Sequence, residues 1–111
     1  MKKMKKSIEN IVRHAEVSEK AIERYLADRV KGMGGVCLKY SNANMAGYPD
    51  RVVLLPGGVT AWVELKSKGR KPSALQEARF RLMESIGHKV HVCDSREKAD
   101  EMLEQMKEGG A

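Results

Sequence analysis

Aromatic residues are few in this chain of 111 residues: one Trp, one Phe and three Tyr. A core must therefore rest on Val, Ile, Leu, Met and Ala. Cysteine is limited to Cys37 and Cys93, which are far apart in apolar stretches and lack a C-x-x-C partner, so zinc-ribbon and dithiol redox chemistry are not expected. Reduced thiols buried in a cytoplasmic, reducing compartment are the expectation. His14, His88 and His91 show no H-E-x-x-H spacing and read as ordinary surface or packing residues. No apolar run approaches the length of a membrane span, and no charged-then-apolar leader opens the chain. Neither a membrane anchor nor a secretion signal is expected. The length suits one domain with a two-layer core.

Positive charge, by contrast, is in excess. The formal net charge is +6 and the sequence pI about 9.4. Such a balance favours phosphate-backbone partners through counterion release. The opening residues 1–17, which include a basic cluster and a possible helix over 8–17, read as a basic lead-in. Residues 18–107 form the domain, and 108–111 a flexible end.

Periodicity and capping divide that domain further. Ser18 caps a helix over 19–32, whose apolar residues Ile22, Tyr25, Leu26, Val30 and Met33 recur at helical spacing. Gly32, Gly34 and Gly35 end it. Val36–Lys39 reads as a strand. Val52–Leu55 and Thr60–Leu65 form a hairpin across Pro56-Gly57-Gly58. Ser73, with Gln76 three residues on, opens a second helix whose expected buried stripe is Leu75, Ala78, Arg79, Leu82, Met83 and Ile86. Gly87 stops it. Val90–Cys93 is a fourth strand, and Ser95 caps a last helix running to Met106. The fold class is therefore α/β, with element order α-β-β-β-α-β-α.

The chemistry gathers on the hairpin. Alternation along the second hairpin strand sets Trp62, Glu64 and Lys66 on one face and Ala61, Val63 and Leu65 on the other. Two ionisable residues in an otherwise apolar strand are costly unless paired or bound to metal. Asp50, behind Pro49 at the mouth of the preceding strand, stands at the same end as Glu64. Two converging carboxylates with an adjacent lysine suit Mg²⁺ and phosphodiester hydrolysis. An edge-strand Glu-Lys pair that merely prevents aggregation is the plainer alternative.

Five motifs in order, Gly34-Gly35-Val36-x-Leu38-Lys39, Gly47-x-Pro49-Asp50-Arg51, Val63-Glu64-Leu65-Lys66, Gln76 and Gly87-x-x-Val90, closely resemble the VRR-NUC (virus-type replication–repair nuclease) branch of the PD-(D/E)xK superfamily. The likeness spans roughly residues 18–95. It implies a restriction-endonuclease-like fold with a central mixed sheet flanked by helices. It also implies a Mg²⁺-dependent (Mn²⁺ as substitute) DNA endonuclease of viral or bacterial origin, acting as a homodimer on Holliday junctions or other branched DNA. By the same resemblance Asp50, Glu64 and the carbonyl of Leu65 hold metal, and Lys66 is the catalytic lysine. Gln76 either orients the site or simply caps its helix. The family's first-helix glutamate corresponds to Glu23, with Glu19 as the alternative. Lys39, Arg51 and the loop residues Lys68, Arg70 and Lys71 are candidate DNA contacts. Four methionines, Met33, Met45, Met102 and Met106, exceed what so small a core readily absorbs and are a candidate dimer surface, the alternative being that they fill gaps in a core poor in aromatics. A nucleic-acid-binding module without turnover is the runner-up.

Overall fold

A computed structural model of the chain describes residues 18–109. The lead-in 1–17 and residues 110–111 lie outside them. The elements are α1 (Glu19–Gly32), β1 (Val36–Lys39), β2 (Arg51–Leu55), β3 (Val59–Leu65), α2 (Ala74–Ser85), β4 (Val90–Cys93) and α3 (Arg96–Gly109). This is the expected α-β-β-β-α-β-α order. The last helix runs on to Gly109, past its expected end at Met106.

Local chemistry explains the first helix. Ser18 Oγ accepts from the Ala21 amide at 3.2 Å, Glu19 lies in the first turn, and Arg29 and Lys31 occupy the last. Ile22, Leu26 and Val30, one turn apart, are completely buried. At the C-terminus the Gly35 amide reaches back to the Val30 carbonyl at 2.9 Å. Gly35 is required there: a Cβ would stand 2.3 Å from the Leu54 carbonyl oxygen.

The four strands form one sheet in the order β1-β2-β3-β4. β1 pairs antiparallel with β2, and β2 with β3, across Gly57 and Gly58, both at positive φ. β4 adds parallel to β3 after the α2 crossover, so the sheet is mixed. Alternation then separates its two faces. Val53, Leu55, Ala61, Val63, Leu65 and Cys93 point into the main core, where α1 and α3 supply Ile22, Leu26, Val30, Ala99, Met102, Leu103 and Met106. Truncating Leu26 or Leu103 to Ala costs about 2–5 kcal/mol at sites packed this fully. The opposite face carries Glu64.

Three expectations are corrected. Met102 and Met106 are core residues, completing the inward stripe of α3, so they form no contact surface. Only Met45 of the four methionines is well exposed, with Met33 half-buried against the core. Cys93 is buried, but Cys37 is only half-buried, because it sits on an edge strand. The largest correction concerns α2. Its buried residues are Phe80 and Met83, with Gln76 half-buried, whereas Leu75, Ala78, Leu82 and Ile86 face outward. Spacing of 76, 80 and 83 is one helical face. The rotation of the helix is set by that face meeting the sheet, and not by its strongest apolar stripe.

Candidate active site

Glu64 is the one buried charged residue among those described, at 4% exposure. It lies on the face of β3 away from the main core, and three neighbours define its surroundings. Its Oε2 accepts from Gln76 Nε2 at 3.0 Å and pairs with Lys66 Nζ at 3.2 Å. Its Oε1 is buried with no hydrogen-bond partner. Register carries Asp50 to the third side. Arg51 pairs with Val63, so Asp50 falls opposite Glu64, and Asp50 Oδ1 accepts from the Leu65 amide at 3.2 Å.

The charge of Glu64 bears on Asp50. The Asp50 carboxyl is pushed from 3.8 up to about 6, first by burial and then by the negative charge of Glu64. The Leu65 amide opposes this shift, and Glu19 adds a further raising charge. A buried carboxylate oxygen lacking any donor, beside a second carboxylate that resists ionisation, is an arrangement that a divalent cation stabilises. The donor set is hard oxygen, which fits Mg²⁺ or Mn²⁺. Asp50 and Glu64 would hold the ion, with the carbonyl of Leu65 as the candidate third donor.

Gln76 makes contacts compatible with both readings that its position in the sequence left open. Its Oε1 accepts from the Ser73 amide at 2.9 Å while the Ser73 hydroxyl accepts from its amide at 3.2 Å, closing the capping box. Its Nε2 is thereby aimed at Glu64. One side chain fixes the helix start and the buried carboxylate together. The loop before β2 is seated on the same helix. Arg79 Nε donates to the Ala46 carbonyl at 3.2 Å, and its guanidinium lies 5.3 Å over the Tyr48 ring. Gly47, at φ +97, touches α2 so closely that a Cβ would lie 2.9 Å from carbons of Leu75 and Arg79.

Other expected residues fall elsewhere. Glu23 is ion-paired through Oε1 to Arg51 Nη2. With 12% of its side chain exposed, Arg51 is committed to that pair and offers little to a DNA backbone. Among the described residues, no three His, Cys, Asp or Glu side chains gather into a metal-binding group, so neither Glu23 nor Glu19 completes one with Asp50 and Glu64. Glu19 nonetheless acts on Asp50 through its charge. Lys39 ends β1 in solvent, and Lys68, Arg70 and Lys71 are exposed on the loop that follows Lys66. That loop is tied to the end of β4 by the Gly69 amide on Asp94 Oδ2 at 3.3 Å.

Two features escaped sequence reasoning. The Glu23–Arg51 pair joins residues 28 positions apart, with no local signal to connect them. The Tyr40 and Trp62 rings meet edge to face, their centroids 5.2 Å apart. Alternation already set Trp62 on the Glu64 face, but nothing in the sequence brought Tyr40 to it.

Fold and site together define the restriction-endonuclease-like class that carries the P-D…E-x-K constellation. No protein-family model matches the chain. Individual proteins do. The chain is 36% identical over 81 residues to "Putative nuclease p44" of Acyrthosiphon pisum secondary endosymbiont phage 1, covering 73% of this chain and 87% of that one. A solved structure described as a VRR_NUC domain superposes with TM-score 0.74 at 31% identity, covering 78% of this chain and 94% of the other. The chain belongs to the VRR-NUC family.

Proposed function

We propose that this protein is a nuclease that hydrolyses phosphodiester bonds within DNA, using Mg²⁺ or, in its place, Mn²⁺, and that it selects branched DNA such as Holliday junctions. The observation that carries this reading is Glu64: a buried carboxylate with one orphaned oxygen, set among Asp50, Lys66 and Gln76. When bound, the metal supplies Lewis-acid polarisation of the phosphate and lowers the pKa of a coordinated water. The protein's residues do the rest. Asp50 and Glu64 hold negative charge at fixed positions, anchored by the Leu65 amide and Gln76 respectively. Lys66, 20% exposed, keeps its ammonium beside Glu64, where it stabilises charge developing on the phosphate and orients the attacking water. Lys39, Lys68, Arg70 and Lys71 supply backbone contacts from the exposed rim.

The same reading includes a homodimer, since a branched DNA cut symmetrically needs two sites in fixed relation. Its support is the outward stripe of α2. Leu75, Leu82 and Ile86, the last 68% exposed, form an apolar face that the single chain covers only in part. No helix among the described residues is long and apolar enough to cross a membrane.

Incubation with a panel of branched and linear DNAs, in Mg²⁺ or EDTA, tests the proposal. Cleavage is expected in Mg²⁺ and Mn²⁺, and none in EDTA or with Asp50→Asn or Glu64→Gln. Binding without cleavage in every metal would establish a non-hydrolytic binding module instead. Light scattering should give twice the 12.4 kDa chain mass. A monomer that nicks only one strand of a junction would remove the dimer and favour a flap or nick substrate.

A further inference from the structure

The sheet face that bears Glu64 also bears a row of residues with no part in holding metal. Tyr40 lies beside Asp50, its amide donating to the Asp50 carbonyl at 2.8 Å. In the next row Val52 pairs with Leu38 on one side and with Trp62 on the other. Alternation sets Leu38, Val52 and Trp62 opposite to the main core, on the face of Glu64. Trp62 precedes Glu64 by two residues on that face, about 7 Å along the strand. α1 and α3 pack on the other face, and α2 lies toward β4. Leu38 is therefore exposed beside the half-exposed rings of Trp62 and Tyr40. The two ring planes stand at 88°, forming a corner with one apolar wall and one edge.

A partly exposed aromatic corner next to two candidate catalytic carboxylates needs an occupant compatible with both. Apolar surface does not attract phosphates, whereas the flat face of a nucleobase stacks on Trp and Tyr. In continuous duplex that face is covered by the neighbouring pairs. Away from helix ends, only an unpaired nucleotide can present it. The surrounding charge fits the strand carrying such a base: Lys66 stands beside Glu64, and the chain as a whole is at +6. A second copy seated here would cover the carboxylates, and the outward stripe of α2 gives a dimer a separate surface.

We propose that Trp62 and Tyr40 form a stacking subsite for an unpaired nucleobase flanking the cut, such as one splayed from its partner at a branch point. This rests on the nuclease reading of the same face. Stacking on such a platform is worth about 1–3 kcal/mol per base, or roughly five- to 150-fold in affinity.

Trp62 is the sole tryptophan of the chain and hence its own reporter. The full chain in EDTA is titrated with oligothymidylate, with an abasic sugar-phosphate oligonucleotide of equal length, and with duplex, each carrying a dye for anisotropy. Oligothymidylate is expected to quench Trp62 emission as it binds. The abasic strand and the duplex are expected to bind through phosphates and leave the emission nearly unchanged. Trp62→Leu, or Tyr40→Leu where the first does not fold, should lower the ratio of single-strand to duplex affinity about tenfold. Binding of oligothymidylate with silent Trp62 emission, equal quenching by the abasic strand, or an unchanged affinity ratio would each overturn the subsite while leaving the nuclease reading intact. No DNA binding by anisotropy in any arm would overturn both.

Discussion

Replacing Asp50 with Asn should stabilise the metal-free protein while abolishing its chemistry. The carboxyl is pushed from 3.8 up to about 6, first by burial and then by Glu64. A carboxyl whose folded pKa is raised costs the folded state stability above its unfolded pKa. The penalty is absent below pH about 4, grows between pH 4 and 6, and is complete above 6. At about 1.36 kcal/mol per pH unit, a shift of roughly two units sets a ceiling near 3 kcal/mol. Asp50 keeps some contact with water, and screening reduces the figure to about 1–1.5 kcal/mol. Asn retains the oxygen that accepts from the Leu65 amide, so the substitution removes charge and little else. For a domain of this size the gain corresponds to a rise in Tm of about 5–10 °C. Thermal melts in EDTA at pH 7.5 and pH 3 check this: the difference should be present at the first and nearly gone at the second. Millimolar Mg²⁺ should then raise the Tm of the wild type and leave the variant unmoved, because only the wild type keeps both anionic donors. An Asp50→Asn protein less stable than wild type in EDTA at pH 7.5 would refute the reasoning.

Three further outcomes follow from contacts around the site. Ser73→Ala should cost about 1 kcal/mol through loss of the cap while changing cleavage less than about twofold, whereas Gln76→Leu should lose the cap and at least about tenfold in kcat; equal losses of activity would mean that Gln76 is only a capping residue. Gly47→Ala, which combines φ +97 with a 2.9 Å approach to α2, should destabilise by about 1–3 kcal/mol in urea titrations, and a neutral result would show that the loop is not seated on the helix. Glu23→Gln and Arg51→Met should each destabilise by about 1–2 kcal/mol, with the double variant showing a coupling near 1 kcal/mol. Loss of the Mg²⁺-induced Tm rise in Glu23→Gln alone would instead make Glu23 a metal ligand.

Much of the site was legible because strand alternation is a rigid rule. A period of two residues leaves no freedom over which face Glu64 and Lys66 share, and a three-residue hairpin link leaves little freedom over the partner of Asp50. Glu23–Arg51 was not legible, since a contact between a helix and a strand 28 residues apart depends on how the helix is docked. Tyr40 reached Trp62 only through the pairing of β1 with β2, a register that no turn sequence announced.

The second helix shows the limit most clearly. Its sequence displays Leu75, Ala78, Leu82 and Ile86 at helical spacing, and helical amphipathicity is ordinarily read as the direction of the core. Yet the capping box holds Gln76 by its carbonyl and leaves its amide facing Glu64, which fixes the rotation of the helix from its first turn. Phe80 and Met83 then fall beneath it, and the apolar stripe turns to solvent. Burying that stripe against the sheet would rotate Gln76 away and leave Glu64 with Lys66 as its remaining partner. A buried carboxylate that loses one of its two partners is left about 1–3 kcal/mol worse off, as much as one or two half-buried leucines return. The polar contact therefore sets the phase, and the uncovered leucines and isoleucine are what a second chain would have to satisfy.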